Sequence, residues 1–221
     1  MLIVGCGQVG RRVGREWRRR GVAVTGLVRR PEAATALSEA GITVVVADLD
    51  EGAVPPPADL LYYFAPPPAA GEGDPRIDGF LDALTETPRR LVYVSTSGVY
   101  GDRRGAWVTE ADALNPGTAR ARRRAAAESR LAEWAAANGS AVVVLRVPAI
   151  YSRARLPLAR IRAGEPVVRE DESPYGNRIH EQDLMRVCTL LGEDGAPGGV
   201  FNVSDGRPTT MTAYFNAVAD H

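Results

Sequence analysis

The apolar positions of this chain fall into two rhythms. Short, nearly unbroken apolar stretches recur at "LIVG" (2–5), "VAVTGLV" (22–28), "ITVVVA" (42–47), "LLYYFA" (60–65), "RLVYVS" (90–95) and "AVVVLRV" (141–147). Runs of this length without alternation suit strands covered on both faces. Between them the spacing turns helical: Val9, Val13 and Trp17 share one face of "QVGRRVGREWRRR", which Gly21 ends. Pro31 opens the next helix over "EAATALSEA", and Gly41 closes it. Helices are also predicted over 76–87 and 118–138. Strand and helix thus alternate to about residue 150. Such alternation makes a parallel sheet, and right-handed crossovers wind it into a Rossmann-type doubly wound α/β fold.

Beyond residue 150 the rhythm loosens. A short helix is predicted around 157–163, another over 181–191, then a strand at "GVFNVS" (199–204) and a last helix from about 209. The expected organisation is a dinucleotide-binding core over 1–150 and a small substrate-covering lobe over 151–221, packed as one structural domain. That lobe would lie over the C-terminal ends of the strands, where ligands bind in such sheets. The proline triplets at 55–57 and 66–68 flank a strand and read as loops, and no internal repeat is visible.

Composition narrows the functions. Positive and negative side chains number 27 each, and every positive one is Arg. Without Lys, a Schiff-base lysine, a phosphate-loop lysine and a lysine general base are excluded. A balanced charge argues against a nucleic-acid or membrane partner. Cys6 and Cys188 lie far apart and show no metal spacing, and His180 and His221 are too few for a His-rich site, so no metal is expected. No apolar stretch approaches the roughly 18 residues of a membrane span. The expectation is a cytoplasmic monomer or homodimer acting on a small-molecule substrate.

"GCGQVG" places Gly5, Gly7 and Gly10 between a strand and an amphipathic helix, the context in which G-x-G-x-x-G binds a dinucleotide. Gly5 permits the turn, Gly7 lets backbone approach a pyrophosphate, and Gly10 lets helix and strand pack closely. Gln8 and Val9 complete the predicted contact, with Leu49, Ala65 and Pro66 at the ends of strands three and four. Strand two ends in "GLVRRP", so Arg29 and Arg30 stand where an NAD site would carry an acid. Two guanidiniums suit a 2′-phosphate, and NADP is expected ahead of NAD. Asp48 is a candidate for the adenine amino group, and equally a strand-end cap.

"YVSTSGVYGD" (93–102), with "LRVPAIYS" (145–152) and "NRIHEQDL" (177–184), resembles the extended and atypical short-chain dehydrogenases/reductases, in particular the NAD(P)-dependent epimerase/dehydratase-like proteins. The resemblance implies that the hydroxyl of Thr96, with Ser97 beside it, meets the substrate. It places Pro148 near the nicotinamide, and Asn177, Arg178, His180 and Asp183 in the substrate pocket. His180 also reads as a structural histidine. The family's Tyr-x-x-x-Lys pair falls on Arg120 and Arg124, counting back from Glu128, and no Tyr lies between residues 101 and 150. The resemblance then implies that Arg120 and Arg124 face the nicotinamide ribose, on a stripe where Arg124 can pair with Glu128. Arg122 and Arg123 are expected in solvent. Two functions stay open: an NADP-dependent epimerase, dehydratase or reductase acting on a hydroxyl or carbonyl compound, and a catalytically inactive NADP-binding sensor.

Overall fold

In the computed structural model, which describes residues 1–220, the apolar stretches become β1 (Leu2–Val4), β2 (Thr25–Val28), β3 (Thr43–Val46), β4 (Leu60–Tyr63), β5 (Arg90–Thr96) and β6 (Ala141–Val147). Between them run α1 (Gln8–Arg19), α2 (Ala34–Ser38), α3 (Pro75–Asp82) and α4 (Ala119–Asn138). Then follow β7 (Ala149–Tyr151), α5 (Leu158–Arg162), β8 (Tyr175–Gly176), β9 (Arg178–His180), α6 (Glu181–Gly192), β10 (Gly199–Asn202), β11 (Thr209–Thr210) and α7 (Met211–Ala219). The main sheet has seven strands in the order β10-β6-β5-β4-β1-β2-β3, all parallel. This is the expected Rossmann-type fold, with the strand order reversing between β1 and β4.

Each sheet face carries its own core. Trp17, Leu37, Ile42, Leu184, Cys188 and Leu191 pack on one side, against Ile3, Tyr62, Val92 and Val143. Ile77, Phe80, Ala127, Leu131 and Trp134 pack on the other, against Leu2, Leu61, Tyr63 and Leu91. Strand positions alternate between these two cores, as the side-chain period of two requires.

Three boundaries differ from the sequence reading. Strand β2 starts at Thr25 because Val22 is still in the closing turn of α1, its amide bonded to Trp17 O at 3.0 Å. Helix α3 stops at Asp82; the residues up to 87 precede Pro88, which disfavours helical backbone before it. The strand at 199–202 does not lie in a covering segment. It is the seventh strand of the sheet, with Val200 beside Val144, and α6 packs on α1. Apolar content explains this: Leu184, Cys188 and Leu191 of α6 are buried, and only the sheet face offers enough apolar partners.

Polar contacts fix α6 in place. The Tyr62 hydroxyl accepts from Trp17 Nε1 and donates to Cys188 O, each at 2.9 Å. Burial holds this phenol well above the ordinary tyrosine range, so it stays a donor. One turn further, at the C-terminus of α6, the buried Arg90 guanidinium donates to the carbonyls of Leu191 at 3.1 Å and Ala196 at 2.5 Å. No helix is long and apolar enough to cross a membrane. Tyr62→Phe removes one hydroxyl, leaving the buried indole N–H without a partner and the Cys188 carbonyl with only its helical donor. It should lower stability by about 1–3 kcal/mol, read as a shifted urea midpoint with an unchanged slope; an unshifted midpoint would show that the pair has found other partners.

Candidate functional site

The C-terminal edge of the sheet carries the candidate site, beginning with the turn after β1. Gly5 has φ +75°, and a Cβ there would come within 2.5 Å of the Ala65 nitrogen. At Gly10 a Cβ would stand 3.0 Å from Ile3 Cγ2 and 3.3 Å from Phe64 Cδ2, so its absence lets α1 lie close on the sheet. Gly7 is different. Its backbone is extended, and a Cβ would meet only Gly5 O, at 3.9 Å, in otherwise open space. Gly7 offers α1 no side-chain cap, the first turn holds no acid, and the amides of Gln8, Val9 and Gly10 find no backbone acceptor among the described residues. Free N–H groups at the positive end of a helix form an anion seat, and the residues present fit a pyrophosphate. The Val9 side chain packs against the core, leaving only its amide for a ligand.

A cavity of 160 Å³ opens beside this turn, lined among others by Gly5, Arg29, Asp48, Leu49, Ala65 and Pro66. Arg30 is exposed and lies outside the lining. Asp48 caps the short turn at 49–51, its Oδ1 accepting from Asp50 N at 3.0 Å. Arg76 also lines the cavity and was not singled out from sequence. It donates to both oxygens of Asp50, at 2.7 and 2.6 Å, and to Pro66 O at 3.0 Å, bracing the loops after β3 and β4. That contact draws the Asp50 carboxyl below its usual range.

A larger cavity of 480 Å³ lies over the ends of β5 and β6. Thr96, Ser97, Arg120 and Pro148 all line it, so four sequence-chosen residues come together, and Thr118 and Arg155 join them. The Thr96 hydroxyl accepts from Gly98 N at 3.2 Å, capping the turn at 97–100 while its proton stays free to donate. Arg155 bridges the two regions: its Nε donates to Gln8 Oε1 at 3.2 Å. The Gln8 amide in turn donates to Glu181, which also pairs with Arg12.

The basic helix α4 divides its arginines in a way the sequence does not reveal. Arg122 is exposed and pairs with Glu72 at 2.7 Å, as a solvent-facing residue would. Arg123 is buried, against expectation, and donates to Gly71 O at 2.8 Å. Arg124 is buried too, and it does not pair with Glu128. Its guanidinium donates to Tyr93 OH and Val94 O, each at 3.0 Å. Glu128 is taken instead by Ser95, whose hydroxyl donates to it, and by Arg146 at 3.1 and 2.9 Å. Arg146 also donates to Tyr100 OH at 2.7 Å, and that hydroxyl donates to Asn202 Oδ1 at 2.8 Å. Burial works against the Arg146 charge, but the Glu128 and Tyr100 bonds outweigh it and hold its pKa above the ordinary value.

Asn177, Arg178 and His180 line neither cavity. Asn177 is exposed. Arg178 is buried, donates to Thr209 Oγ1 at 2.5 Å and lies 4.1 Å over the Tyr214 ring, joining β9 to α7. His180 caps α6, its Nδ1 accepting from Gln182 N at 3.3 Å, and meets Tyr151 edge-on. Asp183 pairs with Arg186. His221 lies outside the described residues. Burial pushes the Cys6 and Cys188 thiols up to about 12, leaving both protonated and inert. Among the described residues no cluster of His, Cys, Asp or Glu could hold a metal.

A parallel sheet with a glycine cradle at its switch point defines a dinucleotide-binding protein. The chain belongs to the family described as NAD(P)H-binding, which matches residues 5–189. Among solved structures it is similar to a conserved protein of unknown function from Silicibacter pomeroyi DSS. There the identity is 26% over 99% of this chain and 77% of that one, with a TM-score of 0.77. It is similar to a protein from Methylobacillus flagellatus assigned as an NAD-dependent epimerase/dehydratase, at 25% identity over 99% and 80%, TM-score 0.76. It also shares its fold with the UDP-glucose 4-epimerase of Thermus thermophilus solved with NAD, at 20% identity over 100% and 83%, TM-score 0.77. No curated protein matches. A nicotinamide cofactor is what this family and this cradle accept.

Gly7→Val tests the cradle. The position has φ −79°, so a side chain strains nothing in the fold, but the new methyls would fill the space before the helix. Cofactor binding should be lost in a calorimetric titration while the circular dichroism spectrum stays that of the parent. Parent-like affinity would mean that the anion seat lies elsewhere.

Proposed function

We propose that the chain binds NADP(H) in preference to NAD(H) and presents it to a small hydroxyl or carbonyl compound, as an epimerase, dehydratase or reductase of its family would. The observation that carries this reading is the line of sites along one sheet edge. The 160 Å³ cavity over β1–β4 and the 480 Å³ cavity over β5 and β6 flank the glycine turn. A nicotinamide ring, when bound, accepts or delivers hydride; the chain's own residues hold and orient. Arg29 and Arg30 would take the 2′-phosphate, since both are exposed and neither guanidinium bonds another described residue. Asp48, Leu49, Ala65 and Pro66 would enclose the adenosine, with Gly5, Gly7, Gln8, Val9 and Gly10 at the pyrophosphate. Thr96 and Ser97 would donate to the substrate oxygen, with Pro148 beside the nicotinamide. Arg124 would support the ribose end through its hold on Val94 O and Tyr93 OH.

A second reading, a cofactor-holding sensor without turnover, draws on the same cavity. Among the described residues no Tyr, His, Asp or Glu lines the 480 Å³ pocket. Arg120 stands where the family resemblance puts the proton-transferring tyrosine. A guanidinium stays protonated at neutral pH and so cannot serve as the proton-accepting base of such a reaction. Following NADPH oxidation and NADP reduction across a panel of carbonyls and alcohols separates the readings: turnover supports the first, tight cofactor binding without turnover the second.

Each charge-assisted bond from Arg29 or Arg30 contributes about 1.5–3 kcal/mol. NADP should therefore bind about ten- to hundredfold more tightly than NAD, and Arg29→Ala with Arg30→Ala should erase the preference; equal affinities in the parent refute it.

Thr96→Val keeps shape and removes the donor. Where turnover is found, kcat should fall about tenfold or more, the worth of one charge-assisted bond in the transition state, with NADP affinity unchanged. A fully active variant leaves Thr96 as a turn cap only.

A further inference from the structure

The charge in the 480 Å³ cavity is one-sided. Arg120, in the first turn of α4, and Arg155, in the turn after β7, both line it together with the hydroxyl residues Thr96, Ser97 and Thr118, and no carboxylate of the described residues does. Several arginines elsewhere are neutralised by a carboxylate: Arg12 by Glu181, Arg76 by Asp50, Arg122 by Glu72, Arg130 by Asp82, Arg146 by Glu128. The Arg120 guanidinium makes no hydrogen bond and no ion pair with any described residue. Arg155 makes no ion pair, and its one bond goes to the neutral Gln8 amide through Nε, which leaves both terminal nitrogens free. In a chain with no net charge, two guanidiniums without a carboxylate partner give this one cavity a positive potential that favours an anion.

We propose that this cavity takes a substrate bearing an oxyanion, a carboxylate or a phosphate ester, gripped between Arg120 and Arg155, with its reacting oxygen towards Thr96 and Ser97. The inference rests on the reading of this cavity as the substrate pocket. Planar guanidinium forks match carboxylate and phosphate oxygens in pairs, which a neutral sugar or alcohol cannot reproduce. The hydroxyls of Ser97 and Thr118 supply uncharged donors beside the forks. Arg120 then has a definite role: at the position where the family resemblance expects proton transfer, it holds charge.

The test uses the full chain saturated with NADP, so that the cofactor's own phosphate seats are filled. Inorganic phosphate, acetate and neutral glycerol are titrated in turn, and the amide shifts of Thr96, Ser97 and Ala121 are followed by NMR. One or both anions should bind saturably and glycerol should not; comparing phosphate with acetate assigns the anion class. Arg120→Ala and Arg155→Ala should each weaken the anion about tenfold, the worth of one charge-assisted bond, while NADP affinity holds. Absence of saturable anion binding, equal response to glycerol, or unchanged anion affinity in both variants overturns the proposal. So does a parallel loss of NADP affinity, which would assign these arginines to the cofactor's phosphates. A parent that fails to bind NADP at all sinks the cofactor reading instead, and the same titration without cofactor still reads the grip.

Discussion

The buried pair of Glu128 and Arg146 is the contact on which the reactive end of this molecule depends. Both side chains are only 7% exposed, and the carboxylate is fully engaged, by Ser95 on one oxygen and Arg146 on the other. Breaking such a pair from one side leaves a buried charge uncompensated, at a cost of about 3–5 kcal/mol. What it secures is relative position. Glu128 belongs to α4, Ser95 to β5 and Arg146 to β6, so one carboxylate locks the helix over two adjacent strands. Thr96 follows Ser95 directly, and Pro148 lies two residues after Arg146. The walls of the large cavity are therefore set by the pair beneath them. Tyr100 and Asn202 extend the lock to the turn after β5 and to the edge strand β10.

That lock explains why a run of arginines in α4 is not simply a wet surface. Once Ala121, Ala127 and Leu131 are turned into the core, Arg124 must follow them inward, because it lies on the same stripe. A buried guanidinium needs acceptors, and the strand ends supply them as the carbonyl of Val94 and the hydroxyl of Tyr93. Arg123 meets the same demand at Gly71 O. Arg122, on the outer side, takes a surface partner whose worth is small. Arg120 has no such fate, for it sits where the helix begins, at the lip of the cavity.

What the sequence made legible was local. The glycine turn, the six apolar strands and the 20-residue helix α4 are each specified within a short window, and they appear nearly where the pattern puts them. The gathering of Thr96, Ser97, Arg120 and Pro148 followed from motif order, because adjacent parallel strands end side by side. Long-range choices were not legible. "GVFN" joins β6 only because the buried face of α6 first brings the chain back across the sheet. Arg76 and Arg155 sit at a helix start and in an irregular turn, with no periodicity to mark them. Glu128 looked like a partner for Arg124 at helical spacing, but a strand arginine offers it two bonds in a dry setting, and that geometry wins.

The charge layout gives these local details a common sense. The chain has no net charge, yet the edge facing both cavities carries Arg29, the unpaired amides of α1, Arg155 and Arg120. The acids nearby are occupied: Asp48 by a backbone amide, Asp50 by Arg76, Glu181 by Gln8 and Arg12, Glu128 by Arg146 and Ser95. Positive potential along a cleft raises the local concentration of anions and guides their approach, even where the whole molecule is neutral. A dinucleotide such as NADP carries its phosphates in the middle and at one end, and its nicotinamide end carries none. The positive groups extend into the larger cavity, which is more than a dinucleotide alone would need. On the proposed reading, selectivity would be set by which oxyanions can be placed along this edge, and the hydroxyls of Thr96 and Ser97 would act on what the arginines have already oriented.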